Sequence, residues 1–297
     1  MKILNFGSLN IDYVYSVDHF VRPGETLASN NLEIFPGGKG LNQSIALAKA
    51  GADVYHAGII GKDGIMLSET LVAQGVRVEY LKECNDQTGH AIIQVDQEGS
   101  NNILLYGGAN KAVDRTFIDE VLSHFSDEDI ILLQNEISEV GYIIEKAYRK
   151  GMKIAFNPSP IDQAITELPL EKVDWFILNE IEGMCLTGSE DKSGIADKLL
   201  SKYPDAHIIL TLGSEGVLYK DKLKEYEQSI YSVKAIDTTA AGDTFTGYYL
   251  ASIVEGLSVP KSLDRASKAA AIAVSRKGAA TSIPTAKEVE ESTIKIV

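Results

Sequence analysis

Short apolar runs alternate with amphipathic stretches along most of this 297-residue chain, and that alternation restricts the fold more than any other feature. Runs of strand length stand at Ile3–Gly7, Val54–Ile60, Ile130–Leu133, Lys153–Phe156, Trp175–Leu178 and His207–Leu212. Stretches of helical length fall between or after them, at Gly40–Ala50, Ile65–Gln74, Thr116–Phe125, Val140–Lys150, Ile195–Tyr203, Asp243–Glu255 and Ser262–Arg276. Strands joined through helices run parallel, and a parallel sheet needs helices over both faces. The pattern predicts an α/β fold, a three-layer sandwich around a mostly parallel central sheet. No internal repeat or low-complexity linker divides it, so a single domain over 1–297 is expected.

Two regions break the alternation. Segment 10–36 is rich in Tyr, Val, Asn and Phe and carries the turn Arg22-Pro23-Gly24-Glu25. Segment 88–106 reads as a hairpin: Ala91 to Val95, a turn at Asp96-Gln97-Glu98-Gly99, then Ile103 to Tyr106. Neither has a helix to cover it. Together they predict a small β-sheet projecting from the main body as a lid; an antiparallel extension of the main sheet is the other arrangement they allow. Val14, Val17, Phe20, Ile34, Ile92, Leu104 and Tyr106 are many apolar residues for so little covering structure. Exposed apolar patches mark interaction surfaces, so a two-fold homodimer through this sheet is expected.

Composition removes several function classes. A formal net charge of −14 argues against nucleic acid or an anionic membrane as partner, since both need basic surface. An anionic substrate would have to be held by local donors. The two cysteines, Cys84 and Cys185, form no Cys-x-x-Cys unit, so no zinc site or disulfide framework is expected, and both read as buried small hydrophobes. No apolar run approaches membrane-spanning length, and the first residues lack the core of a signal peptide. A cytoplasmic protein is the expectation.

The strand runs end in polar groups: Gln134-Asn135-Glu136, Asn157-Pro158-Ser159, Asn179-Glu180-Ile181-Glu182 and Thr211-Leu212-Gly213-Ser214. Ligands of open parallel sheets bind beyond the carboxyl ends of the strands, so four such groups on one rim predict a ligand cleft. Asp237-Thr238-Thr239-Ala240-Ala241-Gly242-Asp243-Thr244-Phe245 then leads into an apolar helix. Small residues at Ala240, Ala241 and Gly242 leave backbone N–H groups uncovered at the positive end of a helix dipole, which forms an anion site. Asp243, a carboxylate beside that site, suits a base that takes the proton of a hydroxyl while fixed dipoles stabilise a moving phosphoryl group. The same letters also describe an ordinary capped helix.

A second Gly-rich helix start, Pro36-Gly37-Gly38-Lys39-Gly40-Leu41-Asn42-Gln43, matches neither the dinucleotide fingerprint nor the P-loop. It reads equally as a helix cap or a polar ligand site. Asn10 and Asp12 alternate in an extended segment and so share one face, an amide and a carboxylate suited to adjacent hydroxyls, or simply a solvated strand face.

In combination these motifs resemble the ribokinase-like family of carbohydrate kinases, over essentially the whole chain and in the family's order. Gly7 to Asp12 looks like the opening substrate strand, Pro23 to Thr26 like the lid turn, and Gly37 to Asn42 like the first signature. Asn179-x-x-Glu182 is similar to the motif associated with magnesium and phosphate, and Asp237 to Phe245 to the second signature. The resemblance implies ATP-dependent phosphorylation of the terminal hydroxymethyl group of a pentose, ribose being the nearest match. Asn10, Asp12, Gly38, Lys39, Asn42 and Glu136 would hold the sugar, under an apolar lid surface of Ala91, Ile93 and Leu105. Asn179, Glu182, Thr211, Gly213, Ser214, Gly216, Gly242 and Ser267 would line the nucleotide site. Asp243 would be the base, with Ala240, Ala241 and Gly242 as the anion hole. Mg2+ would arrive with ATP. A K+ or other monovalent-cation site would be formed by Asp237, Thr239, Ala273, Arg276, Gly278 and Ser282, several through backbone carbonyls alone.

Ile11, His90 and Leu105 differ from the side chains familiar in the family's sugar pocket, and Ser267 stands where some relatives place a larger residue against adenine. These departures leave deoxyribose, another sugar or a nucleoside as acceptors beside ribose. A phosphorylated acceptor would want more basic residues at the lid than Arg22. A non-catalytic sugar-binding regulator would be expected to lack Gly242 or Asp243, and this chain has both.

Overall fold

The computed structural model describes residues Met1–Val297. Strand β1 (Ile3–Phe6) leads into β2 (Asn10–Ser16) and β3 (Asn31–Gly37), then α1 (Lys39–Lys49) and β4 (Val54–Gly61). Next come α2 (Ile65–Ala73), β5 (Arg77–Cys84), β6 (Gly89–Val95), β7 (Asn101–Tyr106), α3 (Arg115–Leu122) and β8 (Ile130–Gln134). They are followed by α4 (Val140–Lys150), β9 (Lys153–Asn157), β10 (Trp175–Asn179), α5 (Glu180–Thr187), α6 (Ile195–Lys202) and β11 (His207–Thr211). The chain ends in β12 (Val217–Lys220), β13 (Glu225–Gln228), α7 (Ala241–Val254), α8 (Val259–Val274) and α9 (Ala286–Glu291).

The main sheet has nine strands in the order β13-β12-β11-β10-β9-β8-β1-β4-β5. Its pairs from β11 to β5 are parallel, and only β12 and β13 are antiparallel. The apolar runs are continuous because both faces are covered. In β8, Ile131 and Leu133 belong to the apolar core of one face, which also holds Phe117, Ile143 and Leu199. Ile130 and Leu132 belong to the core of the other face, with Leu41, Ile45, Phe245 and Leu263. This is the predicted three-layer α/β/α sandwich.

The side sheet is separate, in the order β3-β2-β6-β7. Asp12 stands opposite Phe35 on one neighbour and Ala91 on the other, and Ala91 stands opposite Leu105. Paired residues share a face, so Asp12, Ala91 and Leu105 form one row, with Val14, Ile93 and Ile103 in the next. Leu32, Ile34, Ile92, Leu104 and Tyr106 lie on the opposite face and are all exposed.

Several elements differ from the sequence reading. Strand β5 alternates charged and apolar residues at a sheet edge, and β12 and β13 are too short to stand out as apolar runs. Helix α5 begins on the polar rim itself, and α9 is a single capped turn and a half. The cysteine expectation is corrected: Cys84 is half-buried at the end of an edge strand and Cys185 is exposed on α5.

Candidate active site

The strand ends meet as a rim. Gln134 is in register with Asn157, and Asn179 with Thr211, all at the carboxyl ends of adjacent parallel strands. A cleft of about 230 Å³ opens there, lined by Lys39, Asn179, Glu182, Thr211 and the turn Ala240–Asp243, with Asn157, Ser159, Thr238 and Thr246. A cavity of about 360 Å³ at the opposite rim, near Tyr148 and Lys172, contains none of the residues singled out from the sequence.

Helix α7 starts on Ala240, which takes the left-handed conformation with φ 59°. The Ala241 N–H is bonded to the Thr238 carbonyl at 3.3 Å, and the first N–H bonded back along the helix is that of Thr244. The N–H groups of Ala240, Gly242 and Asp243 have no backbone partner, so of the expected group Ala240, Ala241 and Gly242 only Ala241 is engaged, and Asp243 adds a further free donor at the helix start. Asp243 is 8% exposed, and each of its carboxylate oxygens has its own amide donor. Asn42 Nδ2 donates to Oδ2 at 3.1 Å and Gln43 Nε2 to Oδ1 at 2.9 Å. Both amides come from α1, which reaches α7 because Gly247 has no side chain: a Cβ there would lie 2.4 Å from that of Ala46. Asn42 Oδ1 is buried without a partner, an acceptor in reserve beside the carboxylate.

Beside Asp243 lie the other acidic groups. Glu136 follows β8 and accepts from the Ser8 hydroxyl and, at 3.1 Å, from the Lys39 N–H. Burial pushes the Glu136 carboxyl above its ordinary range, against the pull of Ser8 and Lys39. Burial alone would lower the Lys39 ammonium, but Asp243, Glu136 and Glu182 around it raise it above its usual value. Burial, and then the charge of Glu136, push Asp12 up to about 7. Asp12 has room only because position 37 is glycine, where a Cβ would fall 2.0 Å from Asp12 Oδ2. Asn10 is held by Asn110, whose Nδ2 donates to Asn10 Oδ1 at 2.8 Å and whose Oδ1 accepts from the Leu9 N–H at 2.9 Å. Asn5, Gln43, Asn110 and Gln134 join these groups through their side chains and are not among the site residues expected from the sequence. Gln43 stands in the second Gly-rich helix start and Gln134 in a polar strand end; Asn5 and Asn110 look like isolated amides until the fold joins them.

Asn179 and Glu182 form a reciprocal capping box on α5. Asn179 Oδ1 accepts from the Glu182 N–H at 2.9 Å, and Glu182 Oε2 from the Asn179 N–H at 3.0 Å. Both still line the cleft. Gly213, Ser214, Gly216 and Ser267 lie outside it, although Ser267 Oγ is a buried hydroxyl with no partner. The Asp237 loop and the Gly278 loop are tied directly, since Asp237 accepts from the Thr239 N–H and the Gly278 N–H, each at 2.9 Å. The Arg276 guanidinium is committed to Glu288 at 2.6 Å, and the Ser282 hydroxyl donates to the Ala279 carbonyl at 2.8 Å. Lid residues Ala91, Ile93 and Leu105 do not border the cleft; Ala91 and Leu105 stand in the row of the side sheet begun by Asp12, and Ile93 in the next row on the same face.

A parallel sheet covered on both faces, a separate four-stranded side sheet and a polar cleft at a helix start define the ribokinase-like class of α/β sandwiches. The chain belongs to the pfkB family of carbohydrate kinases, whose model matches residues 1–286, and is therefore an enzyme that phosphorylates a carbohydrate. It is 36% identical over 296 residues to the ribokinase of Haemophilus influenzae, covering 96% of each chain. It is 35% identical over 311 residues to that of Schizosaccharomyces pombe, covering 98% of each. The structure of Arabidopsis thaliana ribokinase complexed with ribose and ATP superposes with a TM-score of 0.87 at 29% identity, over 98% of this chain and 97% of that one.

Proposed function

We propose that this enzyme transfers the γ-phosphoryl group of ATP to the terminal hydroxymethyl group of D-ribose, giving ribose 5-phosphate. The observation that carries the chemistry is the Asp243 carboxylate, held by two amides at the cleft beside the free N–H groups of Gly242 and Asp243. Asp243 takes the proton of the sugar hydroxyl as the hydroxyl oxygen attacks the γ-phosphorus; the bond to the bridging oxygen breaks and ADP leaves, while those N–H groups with Lys39 stabilise the negative charge on the transferred group. Asn10, Asp12, Asn42 and Glu136 receive the sugar hydroxyls. Three carboxylates, Asp12, Glu136 and Asp243, against one ammonium, Lys39, suit a neutral polyol and oppose a sugar that is already phosphorylated. Choice of ribose rests on relatives that carry the name ribokinase and on the neighbour complexed with ribose and ATP. A coupled ADP-release assay across pentoses, nucleosides and hexoses tests it, and a better kcat/KM for deoxyribose or a nucleoside would replace ribose as the acceptor.

Mg2+ is a hard cation that takes oxygen ligands, keeps several waters and is usually bound by one or two carboxylates plus substrate phosphates. The cleft fits that: Glu182 brings a carboxylate apart from the base, with Asn157, Asn179 and Thr211 as further oxygen ligands. When bound with ATP the ion would neutralise phosphate charge. The nucleotide would lie along Asn179, Thr211, Gly213, Ser214 and Gly216, with Ser267 at its base.

Potassium is expected to activate the enzyme without contacting substrate. Asp237 already joins the loop of Thr239 to the loop of Gly278 and Ser282, which follows Ala273 at the end of α8. A cation bound by their oxygens would stiffen the turn that ends in Gly242, so the gain should fall on kcat. Equal kcat in potassium, sodium and choline buffers would remove this site.

The side sheet is proposed as lid and dimer surface. Ala91, Ile93 and Leu105 close over the sugar, while Leu32, Ile34, Ile92, Leu104 and Tyr106 present an exposed apolar face to a second copy. Light scattering at micromolar concentration is expected to give about twice 32.2 kDa. A fully active monomer at that concentration would leave the outer face without this role.

A further inference from the structure

Gln43 occupies the end of a buried chain of amides. Asn5, Gln43 and Gln134 are all within 1% of full burial. Gln43 Nε2 donates to Asp243 Oδ1, and Gln43 Oε1 accepts from Gln134 Nε2 at 2.7 Å. Gln134 Nε2 gives its second hydrogen to Asn5 Oδ1 at 3.0 Å. Asn5 Nδ2 donates in turn to the Gly40 carbonyl at 2.7 Å and to Ser44 Oγ at 2.8 Å.

Every amide in this chain has only one workable orientation. A main-chain carbonyl can only accept, so Asn5 turns its NH2 to Gly40 and its oxygen to Gln134. Gln134 must then donate, Gln43 must accept, and Gln43 has only its own NH2 left for Asp243. Three amides thus run between two obligate acceptors, a backbone carbonyl and a carboxylate. Reversing any of them would face like against like. The odd acceptor is Gln134 Oε1, which is buried without a partner and lies where a Cβ on Gly7 would come within 2.5 Å.

We propose that Gln43, locked by Gln134 and Asn5, is a positioning residue for the catalytic carboxylate. With Asn42 it pins both oxygens of Asp243 and sets the plane of the carboxylate toward the acceptor hydroxyl. This rests on the reading of Asp243 as the base. A carboxylate held at one oxygen can swing about its bond to Cβ; one held at both cannot. Misalignment at a reacting centre lowers turnover more than affinity. Asn42 keeps an open Oδ1 for the sugar, so its replacement would mix binding with positioning, whereas both polar ends of Gln43 are taken up inside the protein.

The test uses Gln43→Met, which removes the donor at similar size, and Gln134→Glu, which keeps the shape but exchanges the NH2 for oxygen and so turns the Gln43 amide round. Each is expected to lower kcat about tenfold to a hundredfold, with KM for sugar and for ATP near wild type. The double variant should be no worse than the worse single one, because Gln134 acts only through Gln43. Ile45→Val, buried on the same helix, supplies the control for a loosened core: a lower Tm with wild-type kcat. Wild-type kcat in Gln43→Met, or a raised sugar KM with kcat unchanged, overturns the proposal. So does a kcat loss reproduced by Ile45→Val at similar Tm. If Gln134→Glu does not fold, the kcat and KM split in Gln43→Met decides alone. Asp243→Asn is measured alongside: full turnover there would remove the base itself, whereas an inactive Asp243→Asn beside a fully active Gln43→Met removes only the positioning.

Discussion

Asp243→Asn is expected to lower kcat by about a hundredfold to ten-thousandfold, the usual contribution of a general base, while the enzyme still binds its sugar. The side chains have nearly the same shape, so packing of the first turn of α7 should survive. What is lost is the capacity to take a proton. A second loss follows from the surroundings: both oxygens of Asp243 accept from amides. An Asn at that position presents one oxygen and one NH2; Gln43 is locked as a donor, so the NH2 falls to Asn42, which must turn its amide round to accept it and gives up its free Oδ1. Steady-state kinetics for kcat and calorimetry for sugar binding separate the two effects. Wild-type turnover in the variant would show that the proton leaves by another route.

The central sandwich was legible in the sequence because a strand buried on both faces is written as an unbroken apolar run. Edge strands carry no such record. In β5 the residues Arg77, Glu79, Lys82 and Glu83 face water, and β12 and β13 pair antiparallel after a loop, where neither run is long. The side sheet was legible for the opposite reason: two extended segments without a neighbouring helix have to cover each other. Of the site, the helix starts at Gly38 and Ala240 stood out through small residues followed by apolar helix. The amide chain did not. Asn5 and Gln134 lie 129 residues apart and meet only because β1 and β8 are adjacent strands. Asn110 meets Asn10 over 100 residues for the same kind of reason, where the chain returns from the side sheet. The Asn179-x-x-Glu182 spacing carries two meanings at once, since the pair that lines the cleft is also the pair that caps α5. No local pattern distinguishes them.

Replacing Asp12 should change binding and stability in opposite directions. Asp12→Ala removes an acceptor from the proposed sugar site, and hydrogen bonds to a charged group are worth roughly 1.5–3 kcal/mol. The sugar KM should therefore rise about tenfold to a hundredfold, with kcat changed less. The free enzyme holds this carboxylate at a cost, because burial and Glu136 push it up to about 7 from the ordinary 3.8. A carboxyl raised in the folded state favours folding when protonated: its contribution is complete below about 3.8 and is lost as the pH rises through about 7. Asp12→Asn carries no charge at any pH, so it should raise Tm, most clearly above about 7, and less as the pH falls. Sugar binding runs the other way. On the proposed sugar site the ionised carboxylate would accept from two hydroxyls, so the wild-type KM should worsen as the pH falls below about 7, while Asp12→Asn should have a higher KM and lose that part of the slope. Thermal melts and KM measured over the same pH range check both halves. A Tm that does not rise would mean the carboxylate is not strained in the empty site, and an unchanged KM for every sugar would place the acceptor elsewhere.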